Sequence, residues 1–202
     1  MRKSTYCNQC KLYICVCDKL KQVQTSIEFV VFRHWKETLR SSNSVRIAAL
    51  CMPNLRVIEY PSEEAENFKF DNANDILLFP STSQEASQVS PKRIIVLDGN
   101  WKQARRMYKR IQGLSELACV QLHPAVLPPP RIRKPPFDGA MSTMETISQA
   151  VKRFETPEQG QALDLNLTHW VHRVCQITGV HGVPKPGQSI SDLRVKESYN
   201  NE

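Results

Sequence analysis

The chain has 202 residues, of which 41% are hydrophobic and 23% are charged, a composition typical of one folded domain rather than a disordered chain. Its 27 Lys and Arg outnumber its 20 Asp and Glu, and the formal net charge of +7 favours an anionic partner, nucleic acid first. No apolar run reaches the roughly 20 residues that a bilayer-spanning helix needs, and Met1–Leu20 lack the apolar core of a secretory signal. These features exclude a transmembrane protein and a collagen or coiled-coil rod, and we expect a cytoplasmic protein.

Four of the seven cysteines cluster near the N-terminus, and their spacing predicts a metal site. In a reducing compartment, clustered thiols are better explained by metal binding than by disulfides. Four thiolates match the tetrahedral coordination of zinc, and such a site is structural because no coordination position stays open for catalysis. We therefore predict a zinc knuckle over residues 1–22, with a flexible redox-active tail as the alternative. The predicted ligands are Cys7, Cys10, Cys15 and Cys17.

Residues 23–180 alternate short apolar runs with helical patterns, which predicts an α/β domain whose parallel sheet has helices on both faces. The predicted strands are Ile27–Phe32, Leu55–Tyr60, Ile76–Phe79, Ile94–Leu97 and Cys119–Leu122. The predicted helices are Val45–Cys51, Asn100–Gln112, a helix that begins after Ser142, and Gln161–Ile177. Residues 181–202 are rich in Pro, Gly and charge, and we expect them to form a loose tail.

Two of the predicted helices carry capping signals at their starts. Asn is a good N-cap, so we expect Asn100 to begin the helix that Gly113 then ends. Ser142 and Glu145 have the spacing of a capping box, in which each side chain accepts a hydrogen bond from the other residue's backbone N–H. These signals fix where the two helices begin.

The strand end at Asp98 is the best candidate for chemistry, because ligands of open parallel sheets bind at the carboxyl ends of the strands. Asp98 is followed by Gly99, which permits a sharp turn, and by the helix start at Asn100. The Asp98 carboxylate either accepts hydrogen bonds from a sugar or amine, takes a proton as a general base, or merely caps the helix. His34, at the end of the first predicted strand, is a weaker candidate.

Basic residues surround this candidate site in sequence. Residues 92–136 contain ten Lys or Arg and two acidic residues, a local excess of eight positive charges that is larger than the net charge of the whole chain. Such residues hold nucleic-acid phosphates, which gives affinity and position but little specificity; the alternative is a solvated helix face. The predicted RNA contacts are Lys102, Arg105, Arg106, Arg131, Arg133 and Lys134.

Residues 98–101 read Asp-Gly-Asn-Trp at the turn between the predicted strand and helix. This turn is similar to the Asp-x-Thr-Trp motif of the DTW-domain proteins, the tRNA-uridine aminocarboxypropyltransferases, with Asn100 in place of the motif threonine. The N-terminal cysteine spacing, Leu77–Ser81, the proline and arginine arm Leu127–Pro136, and the helix start Ser142–Glu145 are also similar to family motifs. The resemblance covers roughly residues 5 to 178, with the motifs in the family's order.

The resemblance implies a SPOUT-like α/β fold with a C-terminal trefoil knot, in a monomer. It also implies a reaction in which S-adenosylmethionine donates its 3-amino-3-carboxypropyl group to ring nitrogen 3 of a uridine in tRNA and methylthioadenosine leaves. The alternatives are an RNA methyltransferase of the same broad fold, an rRNA-modifying relative that uses the same donor, and a non-catalytic zinc-dependent RNA-binding module.

The expected site residues follow from the strand ends and the motif positions together. Asp98, Asn100 and Trp101 are the expected catalytic residues, with Trp101 either contacting the adenosine or the base or belonging to the core. The expected contacts to the donor are Leu78, Pro80, Ser81, Asp98, Gly99, Ser142, Thr143 and Glu145.

Overall fold

A five-stranded parallel sheet forms the centre of the structure, a computed structural model that describes residues 6–80, 90–180 and 182–193. The strands are β1 (Glu28–His34), β2 (Leu55–Tyr60), β3 (Asp75–Leu78), β4 (Arg93–Asp98) and β5 (Ala118–Val120). Their order in the sheet is β2-β1-β4-β3-β5, and every neighbouring pair is parallel. The parallel sheet predicted from the apolar runs is therefore confirmed, with strand ends that differ by one or two residues.

Helices lie on both faces of the sheet, as predicted. The helices are α1 (Trp35–Thr38), α2 (Val45–Cys51), α3 (Glu63–Glu66), α4 (Trp101–Arg110), α5 (Thr143–Phe154) and α6 (Pro157–Thr178), with 3-10 turns at Cys17–Lys19 and Leu114–Glu116. Alternate residues of β1 enter two different cores: Phe29 packs with α2, α5 and α6, and Phe32 packs with α3 and α4. In the described ranges, no helix combines the length and apolarity that crossing a membrane requires.

Both predicted N-terminal caps are present. The Asn100 side chain accepts a hydrogen bond from the Gln103 N–H (3.0 Å), and the Gln103 side chain accepts one from the Asn100 N–H (2.7 Å). Ser142 and Glu145 form the second capping box. The last helix begins at Pro157 rather than at the predicted Gln161, because Thr156 caps it and proline is well suited to the first turn. The helix ends at Gly179, which has the left-handed backbone conformation with φ of +66°.

The N-terminal segment is fixed onto α6. The Lys21 N–H donates to Asn166 Oδ1 (2.9 Å), and Asn166 Nδ2 donates back to the Lys21 carbonyl (2.8 Å). Leu12 and Val16 are buried in the same core as the inner face of α6. The residues of the expected knuckle therefore share the core of the main domain.

Part of the segment after α6 packs against the proline and arginine arm. The Arg131 N–H donates to the Gln188 carbonyl, and the Ile190 N–H donates to the Arg131 carbonyl, both at 2.9 Å. Ile190 is buried in the core. Residues 188–190, which lie in the expected loose tail, are thus held to the domain.

Candidate active site and metal centre

A cavity of about 910 Å³ opens at the carboxyl ends of β3, β4 and β5. Its walls come from these strand ends, the loop before α2, the start of α4, the arm around residues 130–140 and the start of α5. Of the expected donor contacts, the lining includes Leu78, Pro80, Asp98, Gly99, Ser142 and Thr143. The parallel sheet therefore brings together residues that are far apart in sequence. Ser81, another expected donor contact, lies outside the described residues.

Asp98 is buried at the end of β4 and lines this cavity. Asn43 Nδ2 donates to Asp98 Oδ2, and the Thr143 hydroxyl donates to Asp98 Oδ1, both at 2.6 Å. Burial raises the pKa of Asp98, while the two hydrogen bonds and the nearby Arg33 and Arg133 charges oppose the rise. The result is an oriented carboxylate that is more basic than an ordinary aspartate.

Sequence reasoning missed α1 and the loop between α1 and α2, which supply Glu37 and Asn43, respectively, to the cavity wall. Both side chains are buried. Burial, the largest cause, and the charge of Asp98 raise the pKa of Glu37, and Arg40 and Arg133 oppose this. The only local signal was the polar stretch Ser41–Ser44 before the predicted helix Val45–Cys51. Such a stretch is equally typical of an ordinary loop.

Gly99 and Asn100 form the turn between β4 and α4. A Cβ on Gly99 would lie 2.9 Å from Gln103 Cβ, closer than real Cβ contacts allow, so the capping box needs glycine there. The Asn100 side chain is used in that box. Asparagine in place of the motif threonine therefore preserves the helix start.

Trp101 lies outside the core, contrary to one of the two expectations for it. Its side chain is 46% exposed at the cavity and stacks on Phe79, with ring centroids 5.6 Å apart and planes 9° apart. Phe79 stacks in turn on Tyr108 (4.7 Å, 7°), and the Arg105 guanidinium lies 5.6 Å from the Trp101 ring centroid. This aromatic stack offers a flat, partly exposed ring to a ligand.

Three residues expected at the site have other partners. Glu145 is buried and accepts hydrogen bonds from Arg131 Nε (2.9 Å) and Nη2 (2.6 Å) as well as from the Ser142 N–H. Arg131 is therefore held in a buried ion pair, in contrast to the exposed phosphate contact expected of it. His34 Nδ1 accepts a hydrogen bond from the Lys36 N–H at 3.2 Å and so caps α1. Burial, the largest cause, and the charges of Lys36 and Arg106 lower the pKa of His34.

The remaining predicted RNA contacts are exposed around the cavity. Lys102 and the pair Arg133 and Lys134 line it directly. Arg105 and Arg106 are exposed on α4. Arg105 lies over the Trp101 ring of the aromatic stack, and Arg106 is close enough to His34 to affect its pKa. The site thus has a buried acidic interior and a basic exterior.

The four N-terminal cysteines form a second centre with the geometry of a metal site. All four Sγ atoms lie within 4.8 Å of one another, with Cys7 at 3.5 Å from Cys15 and 3.9 Å from Cys17. Zn–S distances of about 2.3 Å place the sulfurs of a tetrahedral site about 3.8 Å apart, which these separations fit. The N–H groups of Cys10 and Gln9 lower the pKa of Cys7 to about 6, whereas burial, the largest cause, raises the pKa of Cys17. A bound metal ion would supply the positive charge that four neighbouring thiolates need.

Comparisons with known proteins find two relatives and one family model. The tRNA-uridine aminocarboxypropyltransferase 2 of Drosophila melanogaster is 25% identical over 175 residues, which cover 78% of this chain and 70% of the relative. The protein of the same name from Mus musculus is 25% identical over 185 residues, covering 84% of this chain and 61% of the relative. No solved structure matches the chain. A family model described as DTW domain matches residues 4–175, and the chain belongs to this family.

Proposed function

We propose that this protein transfers the 3-amino-3-carboxypropyl group of S-adenosylmethionine to ring nitrogen 3 of a uridine in tRNA and releases methylthioadenosine. Membership of the DTW family and the names of the two relatives support this. The observation that carries it is the buried Asp98 in a large cavity, beside an exposed tryptophan and a basic rim. Cavities of this volume are large enough for a nucleoside-sized ligand.

The reaction needs one bond formed and one bond broken. Uridine nitrogen 3 bonds to the chain carbon attached to sulfur, the carbon–sulfur bond breaks, and its electron pair leaves with methylthioadenosine. Nitrogen 3 loses its proton, and each Asp98 oxygen keeps an acceptor site beside the hydrogen bond that it already receives. Asp98 therefore accepts this proton or orients the imide, and its raised pKa suits the first role.

The other cavity residues bind the two substrates. Leu78, Pro80, Gly99, Ser142 and Thr143 would contact S-adenosylmethionine. Ser81, which lies outside the described residues, is also expected to contact S-adenosylmethionine. Glu145 acts indirectly, because it caps α5 and thereby positions Ser142 and Thr143.

The tRNA would contact the exposed side of the site. The Trp101 ring stacks against a base, either that of the tRNA or the adenine of the donor, since aromatic rings stack on bases of any sequence. The exposed residues Lys102, Arg105, Arg106, Arg133 and Lys134 bind the backbone phosphates, which position the tRNA without reading its sequence.

Two structural features complete the proposal. The four cysteines bind zinc as thiolates, and the ion holds the N-terminal segment on α6 without a part in the transfer. The fold is SPOUT-like with a C-terminal trefoil knot. The parallel sheet, in which β4 lies between β1 and β3, supports this assignment, and an experimental chain trace through the segment after β5 tests it.

The products of the reaction test the function directly. Purified protein is incubated with unmodified tRNA and S-adenosylmethionine, and mass spectrometry follows both the adenosine product and the nucleosides of the digested tRNA. Methylthioadenosine together with aminocarboxypropyl-uridine is the expected result. S-adenosylhomocysteine with methylated tRNA would instead identify a methyltransferase, transfer only to ribosomal RNA would identify an rRNA-modifying relative, and tRNA binding without either product would leave an RNA-binding module.

A further inference from the structure

Two buried oxygen atoms in the cavity wall have no hydrogen-bond donor among the described residues. They are Glu37 Oε1 and Asn43 Oδ1. Glu37 is 4% exposed and Asn43 is 3% exposed, so both side chains are almost completely enclosed. Buried acceptors without donors are rare in folded proteins, and at a cavity wall such an oxygen can accept an N–H or O–H group from a bound ligand or from an ordered water.

The surroundings fix the direction of the Asn43 amide. Its Nδ2 group donates to Asp98 Oδ2 at 2.6 Å, which assigns the nitrogen to that side and leaves Oδ1 without a partner. Glu37 Oε1 lies 3.3 Å from Arg40 Nη1, an ion pair that lacks hydrogen-bond geometry. Both acceptors therefore remain able to take a hydrogen bond from a ligand.

The charges around these atoms are arranged from acidic to basic. Glu37 and Asp98 place two buried carboxylates on the inner side, close enough for the charge of one to affect the other. The Arg40 side chain, 42% exposed, lines the outer side, and Arg133 adds a second positive charge there. This pattern is complementary to an α-amino acid whose ammonium group points inwards and whose carboxylate points outwards.

We propose that Glu37 and Asn43 bind the α-amino group of the chain that S-adenosylmethionine donates, and that Arg40 binds its α-carboxylate. An ammonium group has three N–H donors, enough for both oxygens, whereas the imide of a uridine has one. The subsite rests on the proposed function, and it makes Glu37 and Asn43 determinants of which group is transferred. It holds the aminocarboxypropyl chain at the Asp98 end of the cavity.

Binding of four thioether ligands tests the subsite without the sulfonium charge. S-adenosylhomocysteine carries both the amino and the carboxylate group, its deaminated analogue only the carboxylate, its decarboxylated analogue only the amine, and methylthioadenosine neither. Their affinities are measured by calorimetry for the wild-type protein and for Glu37→Gln, with Glu116→Gln as the matched control at an exposed position on the Leu114–Glu116 turn.

For the wild type, we expect loss of the amino group to weaken binding about tenfold or more, as for other hydrogen bonds between charged groups. Glu37→Gln should weaken the two amine-containing ligands by a similar factor and leave methylthioadenosine within about twofold, since only the amine contacts this carboxylate. Glu116→Gln should bind all four like the wild type.

Equal wild-type affinity for S-adenosylhomocysteine and its deaminated analogue would overturn the subsite whether or not the variant folds. A uniform loss of all four ligands in a Glu37→Gln protein that keeps the wild-type melting temperature, or no loss at all, would also overturn it. In these cases release of methylthioadenosine by the wild type would still uphold the proposed function. A wild type that binds none of the ligands and transfers nothing would overturn both.

Discussion

The cysteine cluster and the cavity beside Asp98 are both groups of polar side chains, but only one of them is complete by itself. The four sulfurs lie within 4.8 Å of one another and together supply every ligand that a tetrahedral ion needs. In the cavity, Asp98 is satisfied by two donors, whereas Glu37 Oε1 and Asn43 Oδ1 lack any. A closed set of ligands suits a structural ion, and an incomplete set of acceptors suits a substrate that comes and goes.

Removal of one cluster ligand is the change with the largest expected effect. In Cys10→Ser, zinc content should fall from about one ion per chain to almost none, because the four-ligand site is lost. Since Cys10 is fully buried in the main core, we expect a loss of several kcal/mol in unfolding free energy and a melting temperature lower by roughly 10 °C. Elemental analysis and thermal denaturation measure both quantities.

The matched control is Cys119→Ser. This half-buried thiol donates to the Leu117 carbonyl, and a serine hydroxyl can make the same bond. It should keep the wild-type zinc content and stability. One zinc ion per chain in Cys10→Ser would contradict the closed four-cysteine site.

The second-largest effect is expected at Asp98. Asp98→Asn should lower the rate of transfer by about 10²- to 10⁴-fold, the usual contribution of a general base, while tRNA binding stays intact. Asp138→Asn, at an exposed aspartate just after the arm, is the control and should keep the wild-type rate. Full transfer activity in Asp98→Asn would exclude a catalytic role for the carboxylate.

The pH dependence of the wild type gives an independent measurement. The carboxylate form of Asp98 is the active one, so activity should fall as the pH decreases through its pKa. Because burial raises this pKa above the ordinary value of 3.8, the fall should begin at a higher pH than for an exposed aspartate. A rate that is flat over that range in single-turnover experiments would contradict the assignment.

The two regions also differ in how well the sequence predicts them. The cysteine cluster lies within residues 7–17, so its spacing alone indicates the site. The N-cap at Asn100, the capping box of Ser142 and Glu145, and the five strands are local patterns as well, and the structure confirms them. Asn43 and Thr143, in contrast, reach Asp98 from 55 and 45 positions away, and no local pattern records such contacts.

Arg131 illustrates the same limit. By sequence Arg131 belongs to the basic arm, yet its side chain is only 12% exposed and its guanidinium pairs with Glu145. Charge patterning reports the number of positive residues but not which of them already have a buried partner. Burial and pairing depend on the packing of the arm against α5, which composition does not specify.

A smaller effect is expected at the aromatic stack on the outer side of the cavity. Trp101→Ala should weaken tRNA binding by about 5- to 100-fold, since stacking on one base contributes about 1–3 kcal/mol. Trp35→Ala is the matched control, because Trp35 is also about half exposed but lies beside His34 instead. If methylthioadenosine binding weakens instead and tRNA binding does not, the ring stacks on the adenine of the donor.

The smallest effect is expected from a single basic residue on α4. Arg106 is exposed, so Arg106→Ala should weaken binding only a few-fold at physiological salt, and equally for different tRNAs, because a phosphate contact carries no sequence information. The slope of log affinity against log salt concentration should fall by about 1. Arg153→Ala, an exposed position on α5, should leave the slope unchanged. Equal slopes for both variants and the wild type would show that Arg106 makes no phosphate contact, and the tRNA backbone would then have to follow Lys102, Arg105 and the arm.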